Sequence, residues 1–211
     1  MLEASEECFL YFRELICLMS EALRNQTLDI DEITLASERI ATKIKVFVGG
    51  PEIAREWIWK DWRIKSQSAR LRSRIHRLLE NQGHESVLGE HQAVGRMTDA
   101  HLQLPSVAFT EQFIIKRCNC VILVPDSPGS FCELGAWSDI EKIGRKMLIL
   151  FDERFQSRKS YINPHVIMLA EDNGATVKWV NYAHWQSCKP EVENFVRRFQ
   201  EKALRRGIMY D

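Results

Sequence analysis

Two stretches of this chain, Cys120–Val124 (CVILV) and Lys146–Phe151 (KMLILF), are nearly unbroken apolar runs of strand length. A strand with one wet face alternates apolar and polar residues. A strand that is apolar throughout must be covered on both faces, as in a parallel sheet layered between helices. The segments around these runs supply such layers. Ile44–Val48, Ser86–Leu88 and Thr176–Asn181 read as three further strands. Helices are expected over 66–82, 107–117, 131–143, 164–171 and 191–205. In the first of these, Leu71, Ile75, Leu78 and Leu79 share one face and Gly83 ends it.

The β-α alternation predicts an α/β domain over 44–211: a flavodoxin/Rossmann-like open parallel sheet of about five strands with helices on both faces. Residues 1–43 form a separate N-terminal helical extension in this reading. Phe9, Phe12, Ile16, Met19 and Leu23 recur there at helical spacing, and Asp29 or Asp31 caps a second helix. That face either packs on the sheet as an extra layer or binds a partner or second copy; a homo-oligomer is the expectation carried forward. Residues 52–65, rich in Trp and charge, fit no element, and 89–105 reads as a long loop.

The formal net charge is zero, so no global field draws the chain to nucleic acid or to an anionic membrane. No apolar run approaches the length that spans a bilayer. The six cysteines show no CxxC pair and no zinc spacing, and the acidic start lacks the basic region of a signal peptide. A cytoplasmic protein with free thiols, no metal, no cofactor and no membrane partner is expected.

Ligands of such sheets bind beyond the carboxyl ends of the strands, where strand order switches. Gly49-Gly50-Pro51, Glu90 and the loop after Val124 lie at those ends. The segment VILVPDSPGSFCELGAW (121–137) reads as strand, turn and helix start. Pro128 and Gly129 make the turn in this reading. Ser130 takes the N-cap, and Glu133 stands three residues on at capping-box spacing. Amides at such a start also bind an anion or a sugar hydroxyl. A carboxylate on the first turn can attack an anomeric carbon or stabilise an oxocarbenium-like centre. Cap and catalyst both remain open at this point.

The same segment, with Val46-Phe47-Val48-Gly49-Gly50-Pro51 upstream, resembles the nucleoside 2-deoxyribosyltransferase family. It is nearest to a branch found as toxic effectors beside bacterial retrons. The resemblance covers about 44–152. It implies an N-glycosidase or deoxyribosyltransferase-like enzyme acting on a nucleotide, a nucleoside or an NAD-like molecule. It assigns Glu133 as the catalytic carboxylate, with Asp126 and Glu111 holding sugar or base. Gly49, Gly50, Pro51, Gly129 and Ser130 line the substrate. Retron association would add a reverse transcriptase and nucleic acid as partners. Asn119 stands where the family carries an aspartate, and the Trp-rich insert after Pro51 leaves base preference open. Phosphoribohydrolases are a second match, but they carry a richer glycine motif. A nucleotide-sensing or partner-regulated module with little turnover is the non-enzyme alternative.

Basic residues crowd 55–77. Arg70 and Arg74, one helical turn apart, are candidates for a 5′-phosphate. The strip reads equally as a solvated face, or as a polynucleotide surface interleaved with Trp57, Trp59 and Trp62. Glu90 is a substrate-binding candidate or a solvated loop residue. His91 and His101 are weaker acid candidates in the same loop. Cys132 is expected to be a buried, small side chain.

Overall fold

The computed structural model describes residues 43–89, 107–157 and 162–208. Residues 1–42 and 90–106, which hold most of the expected extension and loop with Glu90, His91 and His101, lie outside them. Five parallel strands form one sheet: β1 (Lys45–Gly49), β2 (Glu85–Val87), β3 (Cys120–Leu123), β4 (Met147–Asp152) and β5 (Thr176–Val180), in the order β2-β1-β3-β4-β5. This is the flavodoxin-like doubly wound order, with its switch between β1 and β3.

Alternate side chains of the strands feed two cores. Val46, Val48, Ile122 and Leu150 point toward α1 (Gln67–Asn81) and α6 (Trp185–Ile208), where they meet Leu71, Ile75, Val192 and Val196. Phe47, Val121, Leu123 and Ile149 point the other way. They meet Ile115 of α2 (Val107–Arg117), Leu134 and Trp137 of α3 (Pro128–Ser138), Ile143 of the short α4 (Glu141–Gly144) and Ala170 of α5 (Met168–Asp172). β3 and β4 are buried at every position, as their composition requires.

Most element ends follow from local chemistry. Ser66 caps α1, its side chain accepting from Ala69 N at 3.4 Å. At the other end Gly83 has φ 81°, with Gly83 N donating to Glu80 O and His84 N to Leu79 O, a Schellman closure. Three expected helices change, and the one expected over 131–143 is two, α3 and the short α4. The last helix starts at Trp185 rather than 191 and carries Pro190 inside it. The helix expected over 164–171 is a π-helical turn, Ile162–Ile167, running into α5. Residues 52–65 hold two 3-10 turns, Arg55–Trp57 and Asp61–Arg63, pinned by buried Ile53, Ile58 and Ile64. Among the described residues no helix is long and apolar enough to cross a membrane.

Candidate active site

The candidate site begins at the carboxyl end of β1, where the sheet's strand order switches. Val124 N donates to Gly49 O at 3.1 Å, tying β1 to the exit of β3. A Cβ on Gly49 would lie 2.9 Å from Leu123 Cδ1 and 3.3 Å from Glu133 Oε2. Gly50 has φ 141°, and a Cβ there would lie 2.8 Å from the Val124 carbonyl oxygen. Both glycines are therefore required by close approach, and the second by its backbone angle as well.

Below them lies Arg72, 1% exposed. Its Nε and Nη2 donate to Val48 O at 3.0 and 2.8 Å, and its Nη1 donates to Pro51 O at 2.8 Å. A buried guanidinium thus fixes the turn that follows β1. Sequence reasoning placed Arg72 in the basic strip and overlooked this role. The signal was present: Ser68, Arg72, Ile75 and Leu79 follow one another at three- and four-residue steps on the buried stripe of α1. Arg70 and Arg74, the expected phosphate ligands, turn toward 52–65 instead. Arg70 Nη2 donates to Ile64 O at 2.7 Å, and Arg74 Nε pairs with Asp61 Oδ2 at 2.7 Å.

The opposite wall is the β3–α3 turn, where the expected cap shifts by three residues. Ser127, not Ser130, is the N-cap; Pro128 opens the helix. Ser130 N donates to Ser127 Oγ at 3.2 Å. Ser130 Oγ accepts from Ser127 N at 2.9 Å and from Asp126 N at 3.0 Å. Proline suits the first helical position because its missing N–H would have had no helical partner there. Ser130 is 1% exposed and its hydroxyl is turned into the loop backbone. Gly129 is exposed, with open space where a Cβ would be.

Glu133 consequently stands on the second turn of α3 and has no capping role. It is half-buried, with Oε2 enclosed against Gly49. The helix dipole fades beyond the first turn, so it lends this carboxylate less than the expected position would. Cys132, expected to be buried, is exposed: Ser130, Leu134, Trp137 and Ser138 take the inner face of α3.

Glu111, on α2, meets the neighbouring strand end in a parallel way. A Cβ on Gly89, just past β2, would lie 2.8 Å from Glu111 Oε1 and 3.4 Å from Phe47 Cζ. Phe47 Cε1 is 3.4 Å from the corresponding point on Gly49. The edge of one aromatic ring therefore reaches toward both glycines, one backed by Glu111 and the other by Glu133. Gly89 escaped sequence reasoning, although it follows Leu88 much as Gly49 follows Val48. Asp126, exposed at the rim, accepts from Ser68 Oγ at 2.5 Å and links the starts of α1 and α3. At the end of β4, buried Asp152 accepts from Arg154 N at 3.0 Å and from its Nε at 2.8 Å. Tyr182 O–H donates to Leu150 O at 2.7 Å, and its phenol is pushed well above its ordinary pKa, mainly by burial. Neither Asp152 nor Arg154 was foreseen.

Residues 68–206 match the family described as STM3845 retron effector protein. The chain belongs to the STM3845 retron effector family. The match takes in Glu111, Asp126 and Glu133 and begins after Gly49–Pro51. This retron effector is also similar to the "Retron Ec86 putative ribosyltransferase/DNA-binding protein" of Escherichia coli. The two are 41% identical over 58 residues, 28% of this chain and 19% of that protein. The resemblance to a retron-associated branch therefore stands at the level of the effector family.

Proposed function

We propose that this retron effector breaks the N-glycosidic bond of a nucleotide, a nucleoside or an NAD-like molecule, as the toxic arm of an anti-phage system. The observation that carries the reading is the Glu133 carboxylate enclosed against Gly49 at the strand-order switch. The word ribosyltransferase in the name of the Escherichia coli relative supports it. In this reading the sugar lies over Gly49 with C1′ facing Glu133. The C1′–N bond breaks and its electron pair leaves with the base. Glu133 attacks C1′ or stabilises its positive charge. Water, or a second base, then takes C1′, and the proton that the acceptor loses ends on the departed base. Glu111 and Asp126 hold sugar or base, and Arg72 keeps the floor in place. Nucleic acid and a reverse transcriptase as partners belong to the same reading.

The test is incubation of the full chain with NAD and a panel of nucleotides and nucleosides, followed by chromatography for free base. Glu133→Gln should cut base release on the order of 10²-fold or more, the scale of losing a main electrostatic contribution. Its melting temperature should hardly move, because the cap belongs to Ser127. A parental rate in Glu133→Gln would remove the mechanism. Binding of a nucleotide without base release by the parental chain would favour the sensing module instead.

A further inference from the structure

The segment between β1 and α1 is clamped from beneath yet displays tryptophan outward. Ile58 and Ile64 are buried, Ser73 Oγ donates to Ile58 O at 2.6 Å, and Asp61 is held by both Arg74 and Arg77. On this fixed base Trp57, Trp59 and Trp62 are 40%, 59% and 76% exposed. Indole surface of that extent is normally sequestered, and only two other large hydrophobic residues, Met168 and Leu169, are comparably exposed among the described residues. Rings held in place by their own segment lose little freedom when something stacks on them.

The charge around them selects the partner. Arg55, Lys60, Arg63, Lys65, Arg74 and Arg77 share this region with only Glu56 and Asp61 within 55–77, in a chain whose formal net charge is zero. Asp61 is committed to Arg74 and Arg77. Beside Trp59 a cavity of about 300 Å³ is lined by Trp185, Arg74, Arg77, Asn81 and Lys189, and the Arg77 guanidinium lies 5.9 Å from the Trp59 ring centroid. Lys189 is partly offset by Glu193 at 3.6 Å. Aromatic faces interleaved with cations match unstacked bases joined by phosphates. A duplex keeps its bases stacked away from such rings, and an acidic protein surface leaves the rings without a matching partner.

We infer that the Trp57–Trp62 segment, with the Trp59–Trp185 cavity, is a binding surface for single-stranded nucleic acid, separate from the Glu133 crevice. The inference does not depend on the proposed enzymatic activity. Bases stack on Trp59 and Trp62, and the backbone runs along Lys60, Arg63 and Arg77.

The experiment is fluorescence anisotropy of the full chain with a labelled single-stranded 12-mer of thymidylate and with a duplex of equal length, across a salt series. The single strand should bind more tightly, with affinity falling as salt rises. Trp59→Ala and Trp62→Ala should each weaken binding about 5- to 150-fold, the range for a lost base stack. Lys60→Glu with Arg63→Glu should weaken it and flatten the salt dependence. Melting temperature should stay parental in all four substitutions, and base release, wherever the parental chain shows it, should be unchanged. No binding of the 12-mer at 100 µM, on the order of the weakest non-specific affinities, would overturn the inference. So would equal affinity for the duplex, or parental affinity in both tryptophan variants. Loss of a protein partner in those variants, with oligonucleotide binding intact, would make the surface a protein interface and overturn it equally.

Discussion

Replacing Gly49 by alanine tests the contact on which the site rests. The new methyl would sit 2.9 Å from Leu123 Cδ1, 3.3 Å from Glu133 Oε2 and 3.4 Å from Phe47 Cε1. Carbon pairs prefer about 3.5–4.0 Å, so Leu123 must give way by more than half an ångström in a core that is fully packed. Overpacking of this kind costs about 1–3 kcal/mol. Loss of glycine freedom in the unfolded chain returns roughly 0.4–1 kcal/mol. A net loss of about 1–2 kcal/mol corresponds to a fall in Tm of roughly 2–8 °C for a domain of this size. The carboxylate must also move by a few tenths of an ångström. Since a 1 Å misplacement can cost about 10²-fold, base release should fall on the order of tenfold. Differential scanning fluorimetry and the chromatographic assay give the two readings. Gly135→Ala is the control: the position is in α3, the helix of Glu133, with open space around it, so the variant should be as stable as the parent or more so. Parental Tm and parental base release in Gly49→Ala would refute both the packing and the placement of Glu133.

Arg72→Met should lose about 2–4 kcal/mol in urea denaturation, because Val48 O and Pro51 O lose charged donors inside the fold. A loss under 1 kcal/mol would show that water replaces the guanidinium. His84 is 6% exposed, its Nδ1 is buried without a hydrogen bond, and burial lowers its pKa from 6.5. The unfolded chain therefore binds this proton more tightly, and stability should fall as pH drops below about 6.5 toward the depressed folded value. His84→Gln should remove that slope, and an unchanged slope would assign it elsewhere. In a background of Cys8→Ser with Cys17→Ser, maleimide at neutral pH should label Cys132 first. Burial raises the Cys118 and Cys188 thiols to about 11 and Cys120 to about 12; equally fast labelling of Cys188 would contradict its enclosure.

The sheet was legible because its signal is strong at every step: two-faced apolar strands leave little choice but a covered parallel sheet. The α2 span came out as the chain shows it, Val107–Arg117. The start of α3 did not, because Ser127 and Ser130 each stand three residues before a residue able to complete a box, Ser130 or Glu133. Spacing cannot choose between them. Pro128 can, since it favours the first helical position. Arg72 was missed for a related reason: seven other basic residues fall within 55–77, and composition hides the one whose phase places it inside. The 52–65 segment lacks periodicity because isolated isoleucines and side-chain ties, rather than a repeating face, hold it down.

The switch in strand order also governs when the crevice can exist during synthesis. β1 is paired on one side with β2 and on the other with β3, Val46 lying opposite Cys120. Lys45 N is held by Asn119 Oδ1 at 2.8 Å. Gly49 therefore lacks its strand partner until Leu123 has been made. At roughly 5–20 residues per second, more than seventy residues take about 4–15 s. For those seconds a ribosome carries the first half of the floor without the second, and non-local pairing of this kind is itself slow. A nascent effector is thus incomplete at its crevice by topology alone.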